Sequence, residues 1–120
     1  TATAHRWAVA GGESGGSIGM RTFVLIANVS DAPGEARVTV HVDDGSSAET
    51  TVTLAGSSRT SLDIGRVFPW LGDIRPRRFW VFVEALGPTP IDLIVERATY
   101  WNANGITWAA GTSAPGTPWP

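Results

Sequence analysis

The segment AVAGGESGGSIGM, residues 8–20, has the composition of a ligand-binding loop, with five glycines within nine positions. A phosphate-binding loop of the P-loop type requires a lysine and a helix after its glycines, and a dinucleotide-binding loop also requires that helix. The sequence contains no lysine, and the β-branched and aromatic run RTFVLIANV that follows the glycines predicts a strand. We therefore interpret the segment as a mobile connection between two strands, in which glycine provides the turn conformations.

The two histidines, His5 and His41, are distant in sequence, and Asp43 lies on the same face of a predicted strand as His41. A metal site requires several such ligands converging on one ion. We interpret His41 and Asp43 as a surface pair, and we expect neither a metal nor another cofactor. A serine nucleophile of the hydrolase type would need a sharp strand-to-helix turn, for which the sequence has no signal.

Two glutamates offer a second route to catalysis, because Glu84 and Glu96 lie in apolar segments on either side of the turn GPTP. If these segments pair as strands, the carboxylates approach each other as glycosidase acids do, at roughly 5 to 10 Å. The alternative is that Glu96 is a structural charge that meets an arginine or backbone donors at a strand end. The alternative is better supported, so no catalytic residue is assigned and the chain is not expected to be an enzyme.

Six tryptophans are a large number for a chain of 120 residues. Four of them lie in or beside predicted strands and are expected in the core: Trp7, Trp80, Trp101 and Trp108. The other two, Trp70 and Trp119, sit next to prolines in predicted loops. Exposed aromatic rings can stack on sugars or pack against a partner protein, so these two tryptophans are candidates for binding.

An arginine cluster, RPRRF, occupies residues 75–79. Its simplest interpretation is a solvated loop, although guanidinium groups also bind the carboxylates of a partner in bidentate fashion. The candidate interaction surface combines this cluster with the two exposed tryptophans: Trp70, Arg75, Arg77, Arg78 and Trp119.

Charge and composition exclude several classes of partner. Nine arginines and eleven acidic residues give a net charge of −2, so no excess of positive charge is present to attract nucleic acid. No apolar run approaches the ~18 residues of a membrane span, and the start TATAHRW lacks the features of a signal peptide. The absence of cysteine fits either a reducing cytosol or a bacterial exterior.

The candidate residues must be positioned by short strands, because period-two alternation and short apolar runs recur along the chain. Eight strands are predicted: RWAVA, TFVLIANV, EARVTVHV, ETTVTLA, TSLDI, FWVFVEAL, IDLIVERATYW and GITWAA. Three of these segments are apolar on both faces, which we interpret as central strands covered by a second sheet: TFVLIA, FWVFV and IDLIV. Only IGRVFPWLGDI suggests a short helical turn.

This spacing predicts an all-β fold, an antiparallel β-sandwich of about seven to eight strands with immunoglobulin-like general architecture. Residues 1–110 are expected to form a single sandwich domain. Residues 111–120, GTSAPGTPWP, are interpreted as a Pro/Gly-rich tail or linker. We expect this tail to pack on its own domain or on a neighbour through Trp119.

Four segments carry a resemblance that spans nearly the whole chain: RWAVAGGESGG, RTFVLIANVSDAPGEARVTVHVDDG, SRTSLDIGRVFP and, most specifically, IVERATYWNANGITWAAGTSAPGTP. Together they resemble the repeated β-sandwich modules found near the C-termini of large secreted bacterial proteins. The order of elements is also similar, more remotely, to the small sandwich of the sensory rhodopsin transducer family. The segment PWLGDIRPRRF departs from the usual pattern of the repeated modules because it is longer.

The resemblance to the repeated modules implies an adhesive, spacer or assembly domain with no established catalytic activity, at an extracellular or cell-surface location. The matching positions are Trp7, Asn28, Glu96, Arg97 and Tyr100, which we interpret as structural. Asn28 would bond turn backbone at a strand end, and Glu96 and Arg97 would lie at a sheet rim.

We therefore expect a noncatalytic structural or interaction module of an extracellular bacterial protein, as one unit of a tandem array or of a self-associating filament. Its partner would be a protein, either a second copy or an adjacent domain. The alternative is a carbohydrate-binding module that uses exposed tryptophans, with a glycan as partner.

Overall fold

A computed structural model describes residues 3–15, 19–72, 77–103 and 106–119 of the chain. The strands are β1 Arg6–Ser14, β2 Arg21–Asn28, β3 Gly34–Val42, β4 Ser47–Leu54, β5 Ser58–Asp63, β6 Arg77–Ala85, β7 Leu93–Ala103, β8 Ile106–Pro115 and β9 Thr117–Pro118. One helical turn, α1 Ile64–Val67, and a 3-10 turn, Pro69–Gly72, occupy the segment where a short helical turn is predicted. Each of the eight predicted strands overlaps one of the strands β1 to β8.

The strands form two antiparallel sheets that pack face to face. One sheet has the order β4-β3-β6-β1-β9 and the other has the order β5-β2-β7-β8. This arrangement confirms the predicted all-β sandwich. Within the described ranges, no helix is long and apolar enough to cross a membrane.

The core is built from the inward-facing half of each strand, because side chains alternate between the two faces with period two. In β2 every second residue is buried, and the same alternation recurs in β3. Val24, Ile26, Val38 and Val83 have no exposed surface at all. Each buried side chain of this kind contributes roughly 1.5 to 3 kcal/mol to folding, so the alternation alone sets the orientation of both sheets.

Trp7 closes the core between the two sheets. Its side chain is 2% exposed, and its indole Nε1–H donates to the backbone oxygens of Leu93 at 3.1 Å and Ala4 at 3.2 Å. Because the indole N–H is satisfied by backbone of the opposite sheet, the large ring can be buried without leaving an unpaired donor. The expectation that Trp7 belongs to the core is confirmed.

The glycine-rich segment is part of a strand for more of its length than predicted. Gly11 and Gly12 lie within β1, where the pairing with β6 shifts register between Val9 and Gly12 to form a β-bulge. A Cβ on Gly12 would clash with the ring of Phe79, so the absence of a side chain at this position makes room for that ring. The chain then enters β2 rather than a helix, as expected, and residues 16–18 lie outside the described residues.

Asn28 links two loops at one end of the sandwich. It is 1% exposed, and its Nδ2–H2 group donates to the backbone oxygens of Ala32 at 2.9 Å and Ala55 at 3.0 Å, while Oδ1 accepts from the N–H of Ser30. The hydroxyl of Ser30 in turn accepts from the N–H of Asp92 at 2.9 Å, which brings in a third loop. The expectation that Asn28 bonds turn backbone is confirmed.

The C-terminal segment is a continuation of the sandwich, so the predicted boundary at residue 110 falls inside β8. Residues 111–115 pair with β7, and β9 crosses to the other sheet to pair with β1. The N–H of Trp119 donates to the backbone oxygen of Arg6 at 2.8 Å, and its ring contacts Phe82 edge to face at 6.0 Å between centroids. The end of the chain therefore packs on its own domain through Trp119, as one of the two expected arrangements.

Replacing Asn28 with alanine should remove three hydrogen bonds, leaving the carbonyl of Ala32 without its donor and that of Ala55 with the Ser58 hydroxyl alone. We expect the free energy of unfolding to fall by about 2 to 4 kcal/mol, which urea denaturation at neutral pH would measure. Thr51→Ala, on the exposed side of β4, is the control and should change stability by less than about 0.5 kcal/mol. Equal effects of the two substitutions would contradict the linking role of Asn28.

Candidate functional site

Four aromatic side chains form a continuous strip on the outer face of the five-stranded sheet. This aromatic strip consists of His41 from β3, Trp80 and Phe82 from β6, and Trp119, which follows β9. Strand β6 is apolar on both faces: its other aromatic and valine residues point into the core, so Trp80 and Phe82 must point outward. The strip is therefore a direct result of placing a doubly apolar strand in the middle of a sheet that is covered on one side.

The strand register brings the four rings together. His41 is directly opposite Trp80 across the β3–β6 pair, and Ala8 of β1 is opposite both Phe82 and Thr117. Strand β1 lies between β6 and β9, and its side chain at this position is only the methyl group of Ala8, so the Phe82 ring can reach the residues after β9.

The rings hold one another in fixed orientations. His41 stacks on Trp80 with 4.2 Å between centroids and 15° between planes, whereas Trp80 and Phe82 meet edge to face at 6.4 Å and 77°. Phe82 and Trp119 also meet edge to face, at 6.0 Å and 88°. Aromatic pairs prefer these offset and edge-to-face arrangements, each worth about 0.5 to 1.5 kcal/mol beyond the area that it buries. The strip is thus preorganised before any partner arrives.

The prediction that Trp80 lies in the core is wrong. Trp80 is 42% exposed and Trp119 is 52% exposed, so two indole rings of the strip are largely open to solvent. The reason is that the opposite sheet covers only the inner face of β6, so an apolar residue at an outward position has nothing above it. A row of exposed aromatic rings is typical of a surface that binds a partner.

Charged residues of both signs lie around the strip in pairs. Nε of Arg37 donates to Oε1 of Glu84 at 2.8 Å, and Glu49 lies 3.9 Å from the same nitrogen. The hydrogen bond and the charge of Glu84 raise the pKa of Arg37 above its usual value. Nε of Arg78 lies 3.6 Å from a carboxylate oxygen of Glu13 at the other side. The rim of the strip is therefore charged but close to neutral in sum.

An open cavity of about 350 Å³ adjoins the strip at Trp80. The stacked side chains of Trp80 and His41 line this cavity, together with Gly12 of the β1 bulge. Asp43 and Arg78 line its rim and supply a hydrogen-bond acceptor and donor beside the aromatic wall. The strip and this cavity together combine apolar ring faces with nearby polar groups.

The structure divides the predicted interaction surface. Trp119 is part of the aromatic strip and Arg78 lies at its rim, whereas Arg77 points to the opposite side of β6 and bonds Asp44 at 3.2 Å. Trp70 is 42% exposed on the 3-10 turn and contacts Phe68, away from the strip. Arg75 lies outside the described residues, as does the side chain of Trp108.

Sequence reasoning missed three members of the strip, His41, Trp80 and Phe82. The signal was present in β6, because a strand that is apolar on both faces within a two-layer antiparallel fold must expose one of its apolar faces. Trp101, also expected in the core, is partly buried.

The structure separates Glu84 from Glu96, which could approach each other only if their strands paired. Strands β6 and β7 belong to different sheets, and the two glutamates lie on the outer faces of those sheets. Glu84 is bonded by Arg37, while Glu96 is exposed and makes no ion pair with any residue that the structure describes. The expected arginine partner of Glu96 is therefore also missing from the described part of the chain.

Arg97 lies between the sheets rather than at a sheet rim. Its Nη1 donates to the hydroxyl of Thr99 at 3.1 Å and to that of Thr112 at 3.5 Å. Its guanidinium carbon lies 3.7 Å from the position that a Cβ on Gly11 would occupy, so the bulge in β1 makes room for it. The register explains the location, because Arg97 is opposite buried Val24 and shares its inward face.

The two histidines lie at different places in the sandwich. His5 is hydrogen bonded through Nδ1 to the backbone oxygen of Ile91 at 3.0 Å, with Asp92 3.6 Å away, whereas His41 belongs to the strip. Among the residues with described positions, no group of three or more histidine and acidic side chains could hold a metal ion.

The outer face of the four-stranded sheet has a second open cavity, of about 540 Å³, beside α1. Phe23 and Val67 are part of its lining, together with the ion pair of Arg21 and Asp63. Phe23 also meets Tyr100 edge to face at 5.9 Å. Among the side chains that the structure describes on this face, Phe23 and Tyr100 are the rings in contact.

Comparison with solved structures shows a shared fold. The crystal structure of Thermotoga maritima 1070 is similar to this chain with a TM-score of 0.74 and 14% sequence identity, over 99% of this chain and 97% of that chain. At this level of identity the likeness establishes the β-sandwich and nothing about function. Comparison with known protein families and with curated proteins gives no match.

The contribution of the Asp44 carboxylate to stability is expected to depend on pH. Hydrogen bonds from the hydroxyl and the N–H of Ser46 lower the pKa of Asp44 below its ordinary value of 3.8, and the charge of Arg77 lowers it further. A carboxylate whose pKa is depressed on folding stabilises the fold above its unfolded pKa, and this contribution is lost as pH falls through the folded pKa.

We therefore expect Asp44→Asn to lower the urea midpoint at pH 7, and the difference from the unmutated chain to shrink as pH falls below 3.8. Urea titrations across this pH range would measure the difference. A difference that stays constant with pH would contradict the role of the ionised carboxylate.

Proposed function

We propose that this chain is a noncatalytic interaction module of an extracellular bacterial protein and that the aromatic strip is its binding surface. The partner is a protein, either an adjacent domain or a second copy of the chain. The observation that carries the proposal is the contact of four aromatic side chains across β3, β6 and the segment after β9, with Trp80 and Trp119 largely exposed.

The strip has the features of the energetic centre of a protein interface. Tryptophan is the residue that most often dominates binding energy, and its effect is largest where neighbouring contacts exclude water. The edge-to-face contacts of Phe82 with Trp80 and Trp119 fix the rings in advance, so little side-chain entropy is lost on binding. Charged pairs such as Arg37 with Glu84 lie at the rim, as they do in most interfaces.

Two observations support a function without catalysis. Glu84 and Glu96 lie on different sheets, so they cannot act as an acid and base on one substrate. Glu84 is also engaged by Arg37, whose Nε donates to its Oε1 at 2.8 Å, so this carboxylate oxygen already has a structural partner.

A carbohydrate-binding module is the alternative function, and the groups beside Trp80 are the observation that supports it. The flat faces of exposed indole rings stack on the apolar faces of sugars, and hydroxyl groups require hydrogen-bond partners close by. Asp43 and Arg78 lie at the rim of the cavity that Trp80 walls, so both requirements are met within one site.

Trp80→Ala tests the proposal, with Trp70→Ala as a matched control because both tryptophans are 42% exposed and only Trp80 belongs to the strip. Binding of the immobilised chain to a second copy, and to any domain encoded beside it in the same gene, would be measured by surface plasmon resonance. We expect Trp80→Ala to weaken the observed binding by roughly 30-fold, the effect of losing a residue worth about 2 kcal/mol. Trp70→Ala should leave it unchanged.

Titration of tryptophan fluorescence with a panel of polysaccharides separates the alternative. A response that Trp80→Ala abolishes, combined with no binding to either protein probe, would replace the protein partner with a glycan. Binding that is equally strong in both variants would remove the strip from the function altogether.

A further inference from the structure

Strand β8 forms one edge of the four-stranded sheet. It runs for ten residues, Ile106–Pro115, and pairs with β7 on one side. On its other side no strand is hydrogen bonded to it within the described part of the chain. About half of its backbone N–H and C=O groups face this open side, because an antiparallel ladder alternates between bonded and unbonded positions.

The direction of these groups follows from the register. Gly116 donates its N–H to the oxygen of Val95 at 2.8 Å, and bonded pairs recur at every second residue from there, at Ala114 and Thr112. The N–H groups of Gly111 and Ser113 therefore point away from β7. Both residues are exposed, so this part of the edge is open to solvent.

The other edges are protected against pairing with another chain. Natural sheets protect their edges with charged residues, very short strands, bulges and side chains that occupy the backbone groups. Strand β4 contains Glu49, and β5 contains Arg59 and Asp63.

The other edge of the five-stranded sheet, formed by β9 and β1, is protected in a different way. Strand β9 has two residues and covers only part of β1. Beyond β9, strand β1 is interrupted by its bulge. The hydroxyl of Thr22 also forms hydrogen bonds with both backbone groups of Glu13, accepting from the N–H at 3.1 Å and donating to the carbonyl oxygen at 2.6 Å.

Strand β8 lacks these protections along most of its length. Its sequence ITWAAGTSAP contains no charged residue, and its proline is the last residue of the strand. An uncharged edge of ten residues is a template for another strand, and it favours a strand that is itself uncharged.

We propose that β8 is a self-association edge, at which β8 of a second copy pairs with it in antiparallel orientation to extend the four-stranded sheet across both chains. Antiparallel pairing of one strand with its own copy is a two-fold symmetric contact, so each chain supplies the same donors and acceptors. The N–H groups of Gly111 and Ser113 donate to carbonyl oxygens of the other copy. Because β8 is uncharged, no like charges are brought together, whereas self-pairing of β4 would place two copies of Glu49 at the contact.

This interface is separate from the aromatic strip, which lies on the outer face of the other sheet. The inference therefore does not rest on the proposed binding function of the strip. It supplies a second contact through which copies of the chain assemble.

Ser113→Pro tests the proposal, because it removes an N–H that β7 does not use and blocks pairing at the open side. The control is Thr51→Pro, which makes the same backbone change at the edge of β4. There Val42 donates to Ser46, so bonded pairs recur at every second residue and the N–H of Thr51 also points outward. Sedimentation velocity over a range of concentrations measures the oligomeric state, and circular dichroism checks that each variant is folded.

We expect the unmutated chain and Thr51→Pro to form a dimer with the same concentration dependence, and the dimer dissociation constant of Ser113→Pro to rise at least tenfold. Ser113→Arg retains the N–H but brings two positive charges together, and it should also weaken the dimer if the proline variant fails to fold. A chain that stays monomeric at all concentrations would overturn the proposal, as would a dimer unaffected in both Ser113 variants. Loss of the dimer in Trp80→Ala alone would assign it to the aromatic strip instead.

Discussion

In a two-layer sandwich, each sheet has only one face that the other sheet can cover, and this constraint decides where every apolar side chain lies. The period of two along a strand sends alternate residues to the covered face, where Val81 and Val83 of β6 are buried. It sends the remaining residues to solvent whatever their chemistry. The outward Trp80 and Phe82 are apolar and have no covering layer, so the same rule that builds the core also builds the aromatic strip.

The strand positions and the sandwich could be predicted from the sequence because both depend on local patterns, namely alternation and turn residues. The role of Asn28 was also predictable, since a polar residue at the end of an apolar strand beside a turn has backbone groups within reach. The prediction for Trp80 is wrong because apolar residues on both faces of β6 suggest that both faces are buried. That interpretation suits a sheet with layers on both sides, not a sheet with one.

The composition of the strip could not be predicted, because it depends on which strands are neighbours. The sequence places Trp119 far from Phe82, and only the crossing of the chain from β8 to β9 brings them together. The same information decides the separation of Glu84 and Glu96: the sequence leaves open whether the two strands joined by this turn pair, and the structure places them in different sheets. Strand order is set by packing of the whole core, which no short segment encodes.

The loops held by Asn28 and Ser30 have a consequence for motion. Because one amide and one hydroxyl tie three loops together, opening any one of these loops breaks hydrogen bonds to the others, and the bonded amides of Ser30 and Asp92 are protected from exchange. Strand β9 has two residues of pairing with β1, and the N–H of Trp119 bonded to Arg6 and its ring packed against Phe82 add to this attachment. The edge-to-face contact that completes the aromatic strip therefore also holds the last strand of the five-stranded sheet in place.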